Sequence, residues 1–148
     1  MIIRTLNTLF AISIIVTLAG CSPDLSDDVI PQQPFDDIVL ELTLPSYAAL
    51  QTNGGTLYLQ DGGVRGIIVY RQNESTYIAF ERNCSYRPNE ACATVNVDAT
   101  KLFMVDPCCQ SRFRFPDGEP TDGPAIRQLN RYAADLDGTT LTIRSSVY

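Results

Sequence analysis

Downstream of residue 20, short runs of β-branched and aromatic residues alternate with turn-forming residues. That punctuation leaves room for strands and almost none for helices. Residues 38–44 (IVLELTL) are predicted to form a strand that Pro45 ends, and residues 45–50 a helical turn with proline at its first position. Asn53-Gly54-Gly55 and Asp61-Gly62-Gly63 are turn chemistry on either side of a short strand at 56–59. Residues 64–71 (VRGIIVYR) and 76–81 (TYIAFE) are expected to pair across a polar loop at 72–75, with Gly63 and Gly66 as a turn or bulge device. Further short strands are expected at 94–97, 102–105 and 112–115, followed by a Gly/Pro-rich loop at 116–124. A closing hairpin is predicted from 131–136 and 139–144 around Asp137-Gly138. The fold class that follows is all-β, a small sandwich or barrel of short antiparallel strands.

The first twenty residues stand apart. Arg4 supplies a positive start, residues 9–18 are almost unbrokenly apolar, and Leu18-Ala19-Gly20 leads into Cys21. A run of that length is a signal-peptide core and falls short of the ~20 residues a spanning helix needs. A small-residue pattern ending in cysteine is the lipoprotein processing signature. The expected division is therefore a signal peptide at 1–20, a lipidated Cys21 with an acidic flexible tether at 21–34, and a β domain at 35–148. More than one acyl chain on Cys21 gives stable anchoring. This places the domain on the cell envelope, with the outer membrane the expected site, facing the periplasm or the surface.

Charge narrows the partners. The chain carries 11 basic and 17 acidic residues, and loss of Arg4 with the signal leaves a net charge of −7. Nucleic acid is excluded as a partner, because it would require a basic patch. Arg112, Arg114 and Arg127 are read as a solvated strand face.

Four cysteines remain in the domain: Cys84 and Cys92 in the irregular stretch 82–93, Cys108 and Cys109 in the stretch 106–111. An exported domain folds where thiols oxidise, so an even count favours disulfides. Two loops, each carrying ligand-type residues at short spacing, also have the form of a metal site suited to soft or borderline ions. The chain contains no histidine. Ser-His-Asp and Cys-His catalysis are thereby excluded, and no enzyme activity is expected.

Residues 63–143 resemble a Rieske domain, the small β-sandwich that carries a [2Fe–2S] cluster between two loops. That family has a first box Cys-x-His-x-x-Cys and a second box Cys-Pro-Cys-His-Gly-Ser-x-Phe. The stretch ending Asn83-Cys84-Ser85-Tyr86 stands at the first, and Asp106-Pro107-Cys108-Cys109-Gln110-Ser111-Arg112-Phe113 at the second. The tail also fits, with Gly118, Gly123-Pro124-Ala125, Leu129, Tyr132 and Asp137-Gly138 ahead of a closing strand.

The outer cysteine and histidine of each box ligate the family's cluster. The resemblance therefore implies that Cys84 keeps a ligand position, Tyr86 replaces the first histidine, Asp106 the second cysteine, and Cys109 the second histidine. In a Rieske centre two imidazoles bind one of the irons, so this chain cannot build that centre from its own residues. Cys92 and Cys108 fall near the family's inter-loop disulfide, although the spacing from Cys84 to Cys92 is longer. The expectation is a collapsed cluster space in which Cys92–Cys108 and Cys84–Cys109 are both disulfides. The pairing Cys84–Cys108 with Cys92–Cys109 stays open. No metal is expected, and if one were held its ligands would be Cys84 and Cys109.

The expected function is thus a membrane-anchored, cofactor-free, Rieske-like domain that acts as a non-catalytic binding or structural module, its envelope partner not named by the sequence. The alternative is electron transfer through a retained or atypical [2Fe–2S] cluster. Thiol–disulfide exchange at Cys108 and Cys109 ranks last, because a Cys-x-x-Cys pair at a helix start is absent.

Overall fold

A computed structural model describes residues 28–147. The expected signal peptide at 1–20, the lipid-bearing Cys21, tether residues 22–27 and Tyr148 lie outside the described residues. Residues 28–37 run without regular secondary structure, and Asn89 Nδ2 reaches Asp28 Oδ2 at 3.3 Å. No helix among the described residues is long and apolar enough to cross a membrane.

The all-β expectation holds. The strands are β1 (Ile38–Glu41), β2 (Thr56–Leu59), β3 (Ile67–Asn73), β4 (Thr76–Glu81), β5 (Asn96–Val97), β6 (Phe103–Val105), β7 (Arg112–Arg114), β8 (Pro120–Asp122), β9 (Arg131–Asp137) and β10 (Thr140–Val147). A 3-10 helix spans Pro45–Gln51, with proline in its first turn. The strands form a six-stranded sheet in the order β1-β10-β9-β4-β3-β2 and a four-stranded sheet in the order β5-β6-β7-β8. Every strand pairing is antiparallel.

Side-chain alternation along β3 and β4 creates two cores rather than one. Ile67, Val69, Tyr77 and Ala79 face one side, where they pack with Leu40, Leu50, Tyr132, Leu141 and Ile143. Ile68, Ile78 and Phe80 face the other, against Met104 and Phe113 of the small sheet and against Cys84, Val95 and Leu129. Strands buried on both faces read as continuous apolar runs, which is why residues 67–69 and 78–80 show no polar alternation. Arg82 links the layers. Its guanidinium donates to Val95 O and Asn96 Oδ1 and lies over the Tyr58 ring, whose hydroxyl accepts the Val97 N–H at 2.7 Å.

Several boundaries differ from the sequence expectation, and three of the differences are informative. β1 stops at Glu41: Leu42 N–H still donates to Thr139 O in the β10 register, but Leu44 N–H folds back to Glu41 O. β3 begins at Ile67 and not at residue 64, since the N–H groups of Val64 and Arg65 donate to the buried Glu81 carboxylate at 2.8 and 3.1 Å. Pro120–Asp122, expected to be loop, pairs with β7 as an edge strand. Proline is tolerated there because an edge strand need not donate on its outer side.

Glu81 also accepts from Asn83 N–H at 2.8 Å and from the Tyr132 hydroxyl at 2.6 Å. Glu81→Gln places amide hydrogens against these donors and is expected to cost about 3 kcal/mol, two hydrogen bonds to a charged group. Urea unfolding of the two proteins at pH 7 measures it. Burial, then the Glu81 contact, pushes the Tyr132 hydroxyl well above its ordinary value of 10.0. The folded chain therefore keeps that proton while the unfolded chain loses it, so stability is expected to fall as pH rises past about 10. In Tyr132→Phe that part of the alkaline loss should vanish from the same titration.

Candidate functional site

Two loops leave the facing sheets and meet. The first, residues 82–95, connects β4 to β5, and its legs are tied by an Asn83–Thr94 bridge and by Cys84 N–H to Ala93 O at 3.1 Å. Arg65 braces it from outside, donating to Asn83 Oδ1 at 2.6 Å, to Ala91 O at 2.8 Å and to Glu90 O. The second, residues 106–111, connects β6 to β7. It closes through Asp106 N–H to Ser111 O at 3.0 Å and Gln110 N–H to Asp106 O at 2.8 Å. The Asp106 side chain caps its own loop, with Oδ1 accepting Cys108 N–H at 2.8 Å.

Cys92 and Cys108 form a disulfide that staples the loops across a sequence separation of 16. Closing a loop of that size contributes ~3 kcal/mol in the chain-entropy account. The alternative pairing of Cys84 with Cys108 is thereby excluded, and the second disulfide expected between Cys84 and Cys109 is not formed. Cys84 and Cys109 are free thiols, with their sulfurs 3.9 Å apart. The reason is where Cys109 points: its sulfur lies 3.3 Å from Asp106 Oδ2 and 3.1 Å from Ser111 Oγ.

The four positions at which the family places cluster ligands do converge. Cys84 and Asp106 are fully buried, Cys109 and Tyr86 half-buried. Cys84 Sγ, Cys109 Sγ and an Asp106 carboxylate oxygen all lie within 4.8 Å of one another. A cavity of about 260 Å³ opens beside them, lined by Tyr86, Arg87, Glu90, Asp106 and Cys109 among others. Burial pushes the Cys84 thiol far above the ordinary cysteine range; a Tyr86 backbone hydrogen bond opposes the rise and Asp106 adds to it. A second group, Glu90 with Cys92 and Cys108, offers no free sulfur, since both are in the disulfide.

A [2Fe–2S] cluster does not fit this donor set. Such clusters are held by four thiolates, or by two thiolates with two imidazoles on one iron. Here there are two thiols and no histidine. The geometry disagrees as well. By the family's pattern Cys84 and Cys109 stand on different irons, yet their sulfurs are at contact distance, 3.9 Å. No space remains between them for two irons and two bridging sulfides.

Several functional contacts had no sequence signal. Ser85 and Arg127 are tied reciprocally, Ser85 Oγ donating to Arg127 O and Arg127 donating to Ser85 O at 2.8 Å. Arg127 therefore belongs to the loop frame and not to the solvated face formed by Arg112 and Arg114, which are exposed as expected. Ser111 is fully buried, and its Oγ accepts Ala125 N–H at 3.0 Å. Gly123 makes that approach possible, because a Cβ there would stand 2.5 Å from Ser111 Cα.

No family model matches the chain, and no curated protein matches it. Solved structures do. The plasma membrane Rieske protein of the cyanobacterium Synechocystis PCC 6803 is 26% identical over 53% of this chain and 76% of its own, with a TM-score of 0.45. The ferredoxin of carbazole 1,9a-dioxygenase from Nocardioides aromaticivorans IC177 is 19% identical over 63% of this chain and 86% of its own, with a TM-score of 0.44. A complex of reduced oxygenase and oxidized ferredoxin in carbazole 1,9a-dioxygenase gives 14% identity over 66% and 86%, with a TM-score of 0.49.

In chelator-treated protein, alkylation is expected to modify Cys109 in the folded state and Cys84 only after unfolding. Cys92 and Cys108 should react only after reduction. Peptide mass mapping of the three conditions checks the assignment.

Proposed function

We propose that this chain is a lipid-tethered, Rieske-like domain that has given up its [2Fe–2S] cluster and serves as a non-catalytic binding or structural module of the cell envelope. The observation that carries the reading is the 3.9 Å contact between Cys84 and Cys109, made while Cys108 is committed to Cys92. Of the donors a cluster would need, two sulfurs remain, and they have closed over the space it would fill. The frame around them is tied by backbone and side-chain hydrogen bonds within the protein.

The tether rests on sequence. Arg4, the apolar stretch at 9–18 and Leu18-Ala19-Gly20-Cys21 are the processing signature. An acid-rich, proline-bearing stretch then leads to the first strand, which suits a domain held off a membrane surface. The disulfide agrees with export to an oxidising compartment.

The full chain, exported and purified without chelators, is expected to contain no stoichiometric iron or acid-labile sulfide and to give no cluster signal by EPR after reduction. Near-stoichiometric iron and sulfide with a reducible signal would overturn the reading and make electron transfer the working function. Cys21→Ala should release the protein from the membrane fraction, and retention there would remove the lipid anchor from the proposal.

A further inference from the structure

We propose that Cys84, Asp106 and Cys109 bind a single divalent ion of borderline softness, of the zinc class, in the place where a two-iron cluster does not fit. The inference rests on the reading that the loops hold no [2Fe–2S] cluster.

Two of the three ligand separations are those of one tetrahedral ion, and the third, from Cys84 Sγ to an Asp106 carboxylate oxygen, is within 4.8 Å. Two thiolates on a zinc at ~2.3 Å stand about 3.8 Å apart at the tetrahedral angle, and the observed separation is 3.9 Å. A thiolate at ~2.3 Å and a carboxylate oxygen at ~2.0 Å stand about 3.5 Å apart, and Cys109 Sγ lies 3.3 Å from Asp106 Oδ2. The ion would sit off the line between the sulfurs, so their contact does not block it as it blocks an iron pair. Two sulfurs and one carboxylate oxygen are a donor set that zinc accepts, while harder ions such as magnesium or calcium call for oxygen ligands.

The surroundings of each ligand are already arranged. Asp106 Oδ1 is occupied by Cys108 N–H, which leaves Oδ2 facing the Cys109 sulfur. Ser111 Oγ accepts Ala125 N–H, so its own proton is available to a Cys109 thiolate 3.1 Å away. Such outer contacts orient ligands and raise affinity. The cavity beside Tyr86 provides the entry path and an open fourth position for water. Binding is an exchange in which the aqueous ion gives up bound waters to solvent for two metal–sulfur bonds and one metal–oxygen bond. The two thiol protons leave to solvent, and nothing is oxidised or reduced.

The test uses the full chain, purified anaerobically, stripped with chelator and titrated with zinc and with cobalt(II). One ion per chain is expected, together with a thiolate-to-cobalt charge-transfer band in the near ultraviolet and protection of Cys109 from alkylation. Cys109→Ser and Asp106→Asn should abolish the band with the fold retained by circular dichroism. Ser111→Ala should weaken zinc by about ten- to a hundredfold. Failure to bind either ion while two thiols remain free would overturn the proposal. So would zinc binding that survives Asp106→Asn and Cys109→Ser, and so would a native protein with no free thiols, in which Cys84 and Cys109 are oxidised together. None of those outcomes touches the cluster-free reading. Stoichiometric iron and sulfide in the untreated protein would instead bring down that reading, and this inference with it.

Discussion

The buried Glu81 carboxylate is the interaction on which the rest of the domain is assembled. A carboxylate with no water to solvate it must be met by donors, or its burial costs several kcal/mol. Four donors from separate stretches of chain converge here: Val64 and Arg65 N–H from the turn before β3, Asn83 N–H from the start of the first cysteine loop, and the Tyr132 hydroxyl from β9. Gly63 stands over the site with a positive φ of 67°, and a Cβ there would fall 2.3 Å from Glu81 Oε2. One acceptor thus fixes where β3 begins, where β4 ends, and the direction in which the chain departs toward Cys84.

That arrangement extends to the loops through hydrogen bonds between protein groups. Arg65 carries the anchor outward to Glu90, Ala91 and Asn83, and the Ser85–Arg127 and Ser111–Ala125 contacts clamp the inner ends of both loops. The disulfide clamps the outer ends. Gln110 stands where the second box of the resemblance has glycine, and it has a φ of +64°, a left-handed backbone that favours glycine. Its side chain answers by donating to Pro107 O at 2.7 Å, so a local hydrogen bond stands where conformational freedom stood.

Much of this was legible in the residues, and the exceptions share a cause. The bounds of β2 and β4 match their β-branched and aromatic runs, and the hairpin of β9 and β10 turns at Gly138-Thr139, one residue later than Asp137-Gly138 predicts. What periodicity cannot register is a long-range acceptor. Glu81 takes the N–H groups of Val64 and Arg65, and β3 therefore starts later than its apolar content suggests. Arg127 looks like a surface charge until Ser85 is brought beside it by the fold. The resemblance to the two boxes also implied that Cys84, Tyr86, Asp106 and Cys109 stand around one site. It could not say whether two facing sulfurs bond, because bonding depends on their direction as much as on their separation.

Direction is what separates a disulfide from a metal site at this locus. Joining Cys84 to Cys109 would require the sulfurs to close from 3.9 Å to ~2.05 Å. Cys84 is walled in by the apolar core of Phe80, Met104 and Phe113. Cys109 would therefore make most of the movement, leaving Asp106 Oδ2 and Ser111 Oγ behind. Asp106 would then be a fully buried carboxylate whose second oxygen had lost its nearest partner, which is costly where water is excluded. A cation between the three groups needs no such movement. It takes the carboxylate and both sulfurs close to where they already stand, and the two thiol protons leave as it binds.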